Sequence, residues 1–242
     1  MYGLGTLINV VAIIIGGLIG MLFGKKISES FQSTLRRSTG VCVLFVGIAG
    51  ALEGMLKIDS DGSVVSGGSL LIILCVTLGT VIGELINIEG GFEKFGAWLK
   101  RKTGSDGDNN FINGFLLSSF TVCIGAMAIV GAIEDAISAD VSILITKAIL
   151  DFIIIMVMAG SLGKGCIFSA IPVAILQGAV TALAVLIKPV LTSDALSNLS
   201  TVGSVLIFCV GINLVWDNKI KVANMLPSIL FAIAAAFLPF SL

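Results

Sequence analysis

The chain has 242 residues, 57% of them hydrophobic and 12% charged, with a net charge of −1. A soluble domain carries about 25% charged residues and needs polar faces on its helices, so this composition points to the bilayer as solvent. Without a basic or acidic tail, the near-zero charge also argues against a nucleic-acid partner. No histidine is present, which excludes hydrolysis through a Ser/His pair and metal sites built on imidazole. Cys42, Cys75, Cys123, Cys166 and Cys209 all lie in apolar segments with no Cys-x-x-Cys pair. They read as small buried hydrophobes, and neither a cofactor nor a metal is expected.

A membrane span needs about 20 mostly apolar residues. The hydropathy places spans at roughly Leu4–Phe23, Ser38–Leu56, Gly68–Ile88, Phe111–Ile133, Val141–Leu162, Ile167–Ile187, Thr201–Trp216 and Met225–Leu242. The expected fold is an all-α polytopic bundle of about eight transmembrane spans forming one integral domain over residues 1–242. Leu4–Phe23 has its lysines after it, at Lys25 and Lys26, and reads as a retained span rather than a signal peptide. Two basic segments read as interfacial amphipathic helices. Lys26–Arg37 places Ile27, Phe31 and Leu35 on one face, and Gly91–Lys102 does so with Phe92, Phe95 and Leu99. Thr103–Asn110 is a soft polar linker.

The loops after the odd-numbered spans carry eleven Lys and Arg residues. Those after the even-numbered spans carry two, Lys57 and Lys188. By the positive-inside rule the odd loops face the cytoplasm and both termini face outward. An internal repeat is visible: Val41–Glu53 aligns without gaps on Val122–Glu134 with six of thirteen positions identical. Gly16–Leu22 likewise matches Gly79–Leu85. Halves at about 1–57 and 64–137 would then form a parallel repeat, followed by the spans of 141–242. Glycines four apart, Gly16 with Gly20 and Gly79 with Gly83, suit close helix contacts in lipid.

Ionisable and amide side chains within a span are costly and mark candidate sites. Lys147 and Asp151 lie four apart on one helical face. Asp151 reads as a ligand or carrier and Lys147 as its internal counter-charge, although such a pair can also be purely structural. Glu134, with Asp135 and Glu53, stands at span ends facing outward. Two symmetry-related carboxylates there would gather cations at a pathway mouth, and water-facing helix ends are the alternative. Asn9, Gln177 and Asn213 are mid-span amides. Pro172 makes Ser169–Gly178 the expected broken or kinked helix.

The runs 123–135 and 144–151, Phe168–Gly178, Asn224-Met-Leu-Pro227 and Gly5-Thr-Leu-Ile-Asn9 together resemble the YqgA/YdfK-type family over essentially the whole chain. That resemblance implies a bacterial inner-membrane protein and supplies no substrate. Asn113, in Phe-Ile-Asn-Gly-Phe, stands where a carboxylate is expected in relatives, so no acid role is carried to it.

The leading expectation is transport of a small cation or a cation-coupled solute, as a secondary transporter or channel. A non-transporting scaffold or accessory subunit, its polar groups fixing helix packing, is the alternative. An enzyme is not expected, because nothing activates Ser118, Ser119 or Ser169 and Asp151 has no aspartate partner at equal depth. The lipid bilayer is the one certain partner, and the glycine-rich faces are compatible with a homo-oligomer.

Overall fold

The computed structural model describes residues 3–24, 28–58, 62–105, 107–123, 126–187, 192–216 and 220–237. Three helix pairs organise it, each closed by glycine. Helix α1 (Leu4–Gly24) packs along α7 (Ser142–Leu162). Side chains added at Gly16, Gly20 and Gly24 of α1 would collide with the backbone carbonyls of Phe152, Met156 and Gly160. These positions rise together, so the two helices are parallel. Without a hydrophobic driving force in lipid, such close backbone approach is what holds a helix pair.

Helix α2 (Glu29–Met55) pairs with α10 (Ser193–Trp216) in the opposite sense. Gly40 faces Leu214 and Val215, Gly47 faces Phe208, and Gly54 faces Thr201. Helix α3 (Ser69–Ile86) uses Gly79 and Gly83 against Ser228 and Asn224, which belong to α12 (Pro227–Ala235) and α11 (Val222–Met225). A short antiparallel hairpin follows α2, with β1 (Leu56–Ile58) paired to β2 (Val64–Ser66) in the register Leu56 to Ser66.

Helix α5 (Phe111–Cys123) forms the centre, with Phe111, Phe115, Leu116, Leu117 and Phe120 all buried. The amphipathic α4 (Ile88–Lys102) lies against it, Phe92 meeting Phe120 edge-on at 5.2 Å and Phe95 meeting Phe115 at 5.8 Å. Asn87 starts α4 in the left-handed region at φ 55°, its side chain accepting from the Gly90 N–H. A 3-10 turn (Lys164–Ser169), α8 (Ala170–Ala182) and α9 (Ala184–Ile187) follow α7. Helix α6 (Ala126–Ser138) continues α5 after a break, bent by 59° from it.

Four expectations change. Among the described residues six helices are long and apolar enough to cross a bilayer, or seven if the bent α5–α6 pair counts as one span. The expected eighth span is represented by a shorter apolar stretch, Val222–Ala235, and residues 238–242 lie outside the described chain. Of the surface helix expected at Lys26–Arg37, residues 26 and 27 lie outside the described residues and 28–37 do not stand apart. From Ser28, whose hydroxyl accepts the Phe31 N–H at 3.3 Å, α2 runs unbroken into the span. No Gly or Pro between 28 and 39 stops it. Its 27 residues extend about 40 Å, past a hydrocarbon layer of about 30 Å. The proposed halves therefore differ, since only the second has a separate surface helix, α4. Finally, Pro172 sits in the first turn of α8, where its missing N–H is harmless. The sharp bend, 59°, falls instead between α5 and α6.

Candidate functional site

Lys147 and Asp151 occupy one face of α7 and are only 7% and 4% exposed. Their Nζ and Oδ2 atoms are 2.5 Å apart. Lys147 makes a second bond that the four-residue spacing does not foretell: Nζ donates to the Val122 carbonyl at 2.8 Å. Val122 lies in the last turn of α5, where helix carbonyls have no partner along the chain and the helix dipole is negative. A helix end among apolar neighbours persists only where protein or water satisfies it. The ammonium does so, and thereby joins α7 to the bent α5–α6 pair. Cys123, the last residue of α5, lies within electrostatic reach of both charges.

A second carboxylate sits toward the N-terminal ends of α1 and α7. Asp135, expected at a water-facing mouth, is fully buried. Its Oδ2 accepts the Gly5 N–H at 2.9 Å, which caps the N-terminus of α1. The reason lies in Gly5, where a side chain would strike Leu144 of α7 and crowd the Asp135 carboxylate of α6. The other carboxylate oxygen, Oδ1, has no partner.

The amides extend this cluster. Asn9, one turn along α1 from Gly5, is 0% exposed and directed at the Asp151 carboxylate. Neither its Oδ1 nor its Nδ2 reaches hydrogen-bond geometry. Gln177 of α8 is 1% exposed, with Oε1 and Nε2 both unpartnered. Four residues on, Thr181 donates to the Ala132 carbonyl of α6 and lies beside Gly3, placing Gln177 one turn deeper at this same junction. Thr6 and Ser119 add two buried hydroxyls.

Nine buried side-chain polar atoms lack a hydrogen bond among the described residues. Seven belong to Thr6, Asn9, Ser119, Asp135 and Gln177. Leaving a buried polar group unsatisfied costs about 1–3 kcal/mol. Seven together would rival the roughly 5–15 kcal/mol by which a protein is stable at all. A dry, permanently unpaired cluster is therefore untenable, and these groups have the chemistry of a site that holds water or a polar ligand.

The remaining candidates lie elsewhere. Asn213 is not in the cluster: its Nδ2 donates to the Ile220 carbonyl at 2.7 Å and its Oδ1 accepts the Ile220 N–H at 2.9 Å, closing the turn between α10 and α11. Glu53 is exposed and Glu134 half-buried. The shared glutamate of the repeat thus marks two different environments, and neither residue adds an unpartnered buried atom.

Sequence reasoning missed a second polar group at the end where α3 meets α4 and α11. Asn224 Oδ1 accepts the Glu89 N–H at 2.7 Å, while Glu89 Oε2 accepts the Ala223 N–H at 3.0 Å. Each of two helix starts is capped by a residue of the other. Lys221 reaches Glu84 at 3.2 Å beside them. Burial raises the Glu89 carboxyl above its ordinary range, partly offset by the Ala223 N–H. Asn224 lies in the Asn-Met-Leu-Pro run, which was the available signal.

Apolar crossing helices around a central buried polar cluster define a multi-pass α-helical membrane protein. The chain belongs to the family described as "Protein of unknown function (DUF554)", whose model matches residues 4–237. It is similar to the uncharacterized membrane protein YdfK of Bacillus subtilis (strain 168), 29% identical over 226 residues covering 93% of this chain and 92% of that protein. It is also similar to the uncharacterized protein YqgA of Escherichia coli (strain K12), 28% identical over 234 residues, or 95% and 94% of the two chains. No solved structure matches the chain.

Proposed function

We propose that the chain is a membrane transport protein, a secondary transporter or channel, that moves a small cation or a cation-coupled solute through the cluster around Asp151. The observation that carries this reading is a buried mid-span ion pair with Asn9 beside it, in a chain where seven buried polar atoms of Thr6, Asn9, Ser119, Asp135 and Gln177 lack a hydrogen bond among the described residues. The two buried carboxylates, Asp151 and Asp135, outnumber the one buried ammonium of Lys147, and this balance favours a positive ligand. Asp151 serves as ligand or carrier, with Asn9 and Gln177 as neutral partners. The chain would sit in a bacterial cytoplasmic membrane with its basic loops inside and both termini outside. It would carry out no covalent chemistry.

The test is flux into liposomes loaded with the purified protein, run separately with sodium, potassium and protons. Wild type is expected to move at least one of them, and Asp151→Asn to fall to the level of protein-free vesicles. Equal flux in both would remove Asp151 from the mechanism.

The scaffold reading has one observation in its favour. Asn213, Glu89 and Asn224 bond neighbouring backbone and tie helices together. They lie outside the Asp151 cluster, however, and leave its unpaired atoms unexplained.

A further inference from the structure

The ammonium of Lys147 holds two oxygens of different origin, the Asp151 carboxylate and the Val122 carbonyl at the end of a broken helix. These are donors a hard cation would take. Asn9 lies beside Asp151, and its Oδ1, buried and without a hydrogen bond among the described residues, offers a third. We propose that Lys147 is a tethered resident cation, and that the transported ligand is a monovalent cation which displaces it from Asp151 and the Val122 carbonyl. This inference rests on the transport reading and names its ligand class.

Displacement needs somewhere for the ammonium to go, and the structure offers one place. Asp135 Oδ1 is fully buried and has no partner. Leu144, one turn before Lys147 on α7, packs against Gly5, and Gly5 bonds Asp135. A helical side chain points toward its own helix's N-terminus, which for Lys147 is the Asp135 side. The proposal thus gives Lys147 two carboxylates, Asp151 paired with it and Asp135 with a spare oxygen on the N-terminal side of α7. Swinging from Asp151 to Asp135 keeps the ammonium paired in both positions and opens the Asp151 oxygens to an incoming ion. A monovalent ion restores the charge at Asp151 that the ammonium removed. A divalent ion would leave an extra buried charge, which this environment penalises heavily. The two positions make a bistable element, and the ligand shifts it by preferring one state.

The experiment uses the full-length protein in lipid. Sodium, potassium and lithium chlorides are each titrated against a choline background, with binding read by infrared difference spectroscopy of the carboxylate bands. In wild type, at least one ion is expected to produce a carboxylate band shift, and calcium or magnesium none. Lys147→Met removes the resident competitor and is expected to tighten apparent affinity for that ion at least tenfold. Asp135→Asn removes the alternative position for the ammonium and is expected to weaken it at least tenfold. Wild-type binding with unchanged affinity in both variants overturns the exchange while leaving the transport reading standing. Absence of flux for every ion would instead sink the transport reading itself. Should the variants fail to fold, wild type decides: a monovalent-specific carboxylate shift supports the proposal, and ion binding without one overturns it.

Discussion

The same residue types are used in opposite ways in two regions of this molecule. Where α3 meets α4 and α11, Glu89 and Asn224 close a reciprocal pair of helix caps. Among α1, α5, α6, α7 and α8, the amides of Asn9 and Gln177 are buried with neither polar atom of either in hydrogen-bond geometry, whereas of Asn224 only Nδ2 is left over. Satisfied polar groups lock a fold, and unsatisfied ones are tolerated where something else supplies the missing bonds. The difference separates a joint from a site, although residue type alone would not.

The comparison is broken most forcefully at Lys147. Removing one partner of a buried ion pair leaves the other uncompensated, at a cost of about 3–5 kcal/mol, and here it also uncovers the last turn of α5. Lys147→Ala is expected to lower the midpoint of detergent-solubilised unfolding sharply, and Lys147→Met with Asp151→Leu to recover most of that loss. If Lys147→Ala melts like wild type, the pair is not a coupled element and the site reading weakens.

Gln177 tests whether the cluster is dry. In a dry interior, Gln177→Leu would remove two unpaired polar atoms and stabilise the protein by about 1–3 kcal/mol. If water or a ligand occupies the site, that gain is absent and transport flux falls instead. A stabilised variant with normal flux would make Gln177 a defect of packing, unconnected with function.

Asn224→Ala should behave in the contrary way. It loses the cap on the Glu89 N–H, worth about 1 kcal/mol, with ion binding at Asp151 unchanged. Lower stability with intact flux sharpens the distinction between the regions. Lost flux with intact stability would erase it.

Much of this was legible in the sequence. The Lys147/Asp151 pair follows from a four-residue spacing inside an apolar run, and α4 from its amphipathic period. Asp135 was misplaced because hydropathy puts it at a span end and says nothing of Gly5, which leaves room for Leu144 of α7 and for the carboxylate itself. Asn9 and Asn213 look alike along the chain, and they differ in what lies opposite: for Asn213 it is the backbone of Ile220. The sequence between α5 and α6 carries no proline, while Pro172 lies in the first turn of α8 and does not break it. A break without proline leaves its mark in the partner that covers the exposed carbonyl, Lys147, which is 25 residues away.

The smallest expected effect is a pH dependence confined to the joint. Glu89 is half-buried, and desolvation raises its carboxyl above the ordinary 4.5. Glu93 and Glu84 push in the same direction, while the Ala223 N–H and Lys221 oppose them. The folded state therefore holds this proton more tightly than the unfolded chain does. Its contribution to stability is complete below 4.5 and is lost as pH rises through the folded-state value. Glu89→Gln keeps a side-chain oxygen for the Ala223 N–H but cannot ionise. Melting both proteins across this window should show wild type and variant converging in acid, with the variant the more stable above it. The opposite order, wild type gaining on the variant as pH rises, would mean that the Ala223 N–H and Lys221 outweigh burial at this carboxylate.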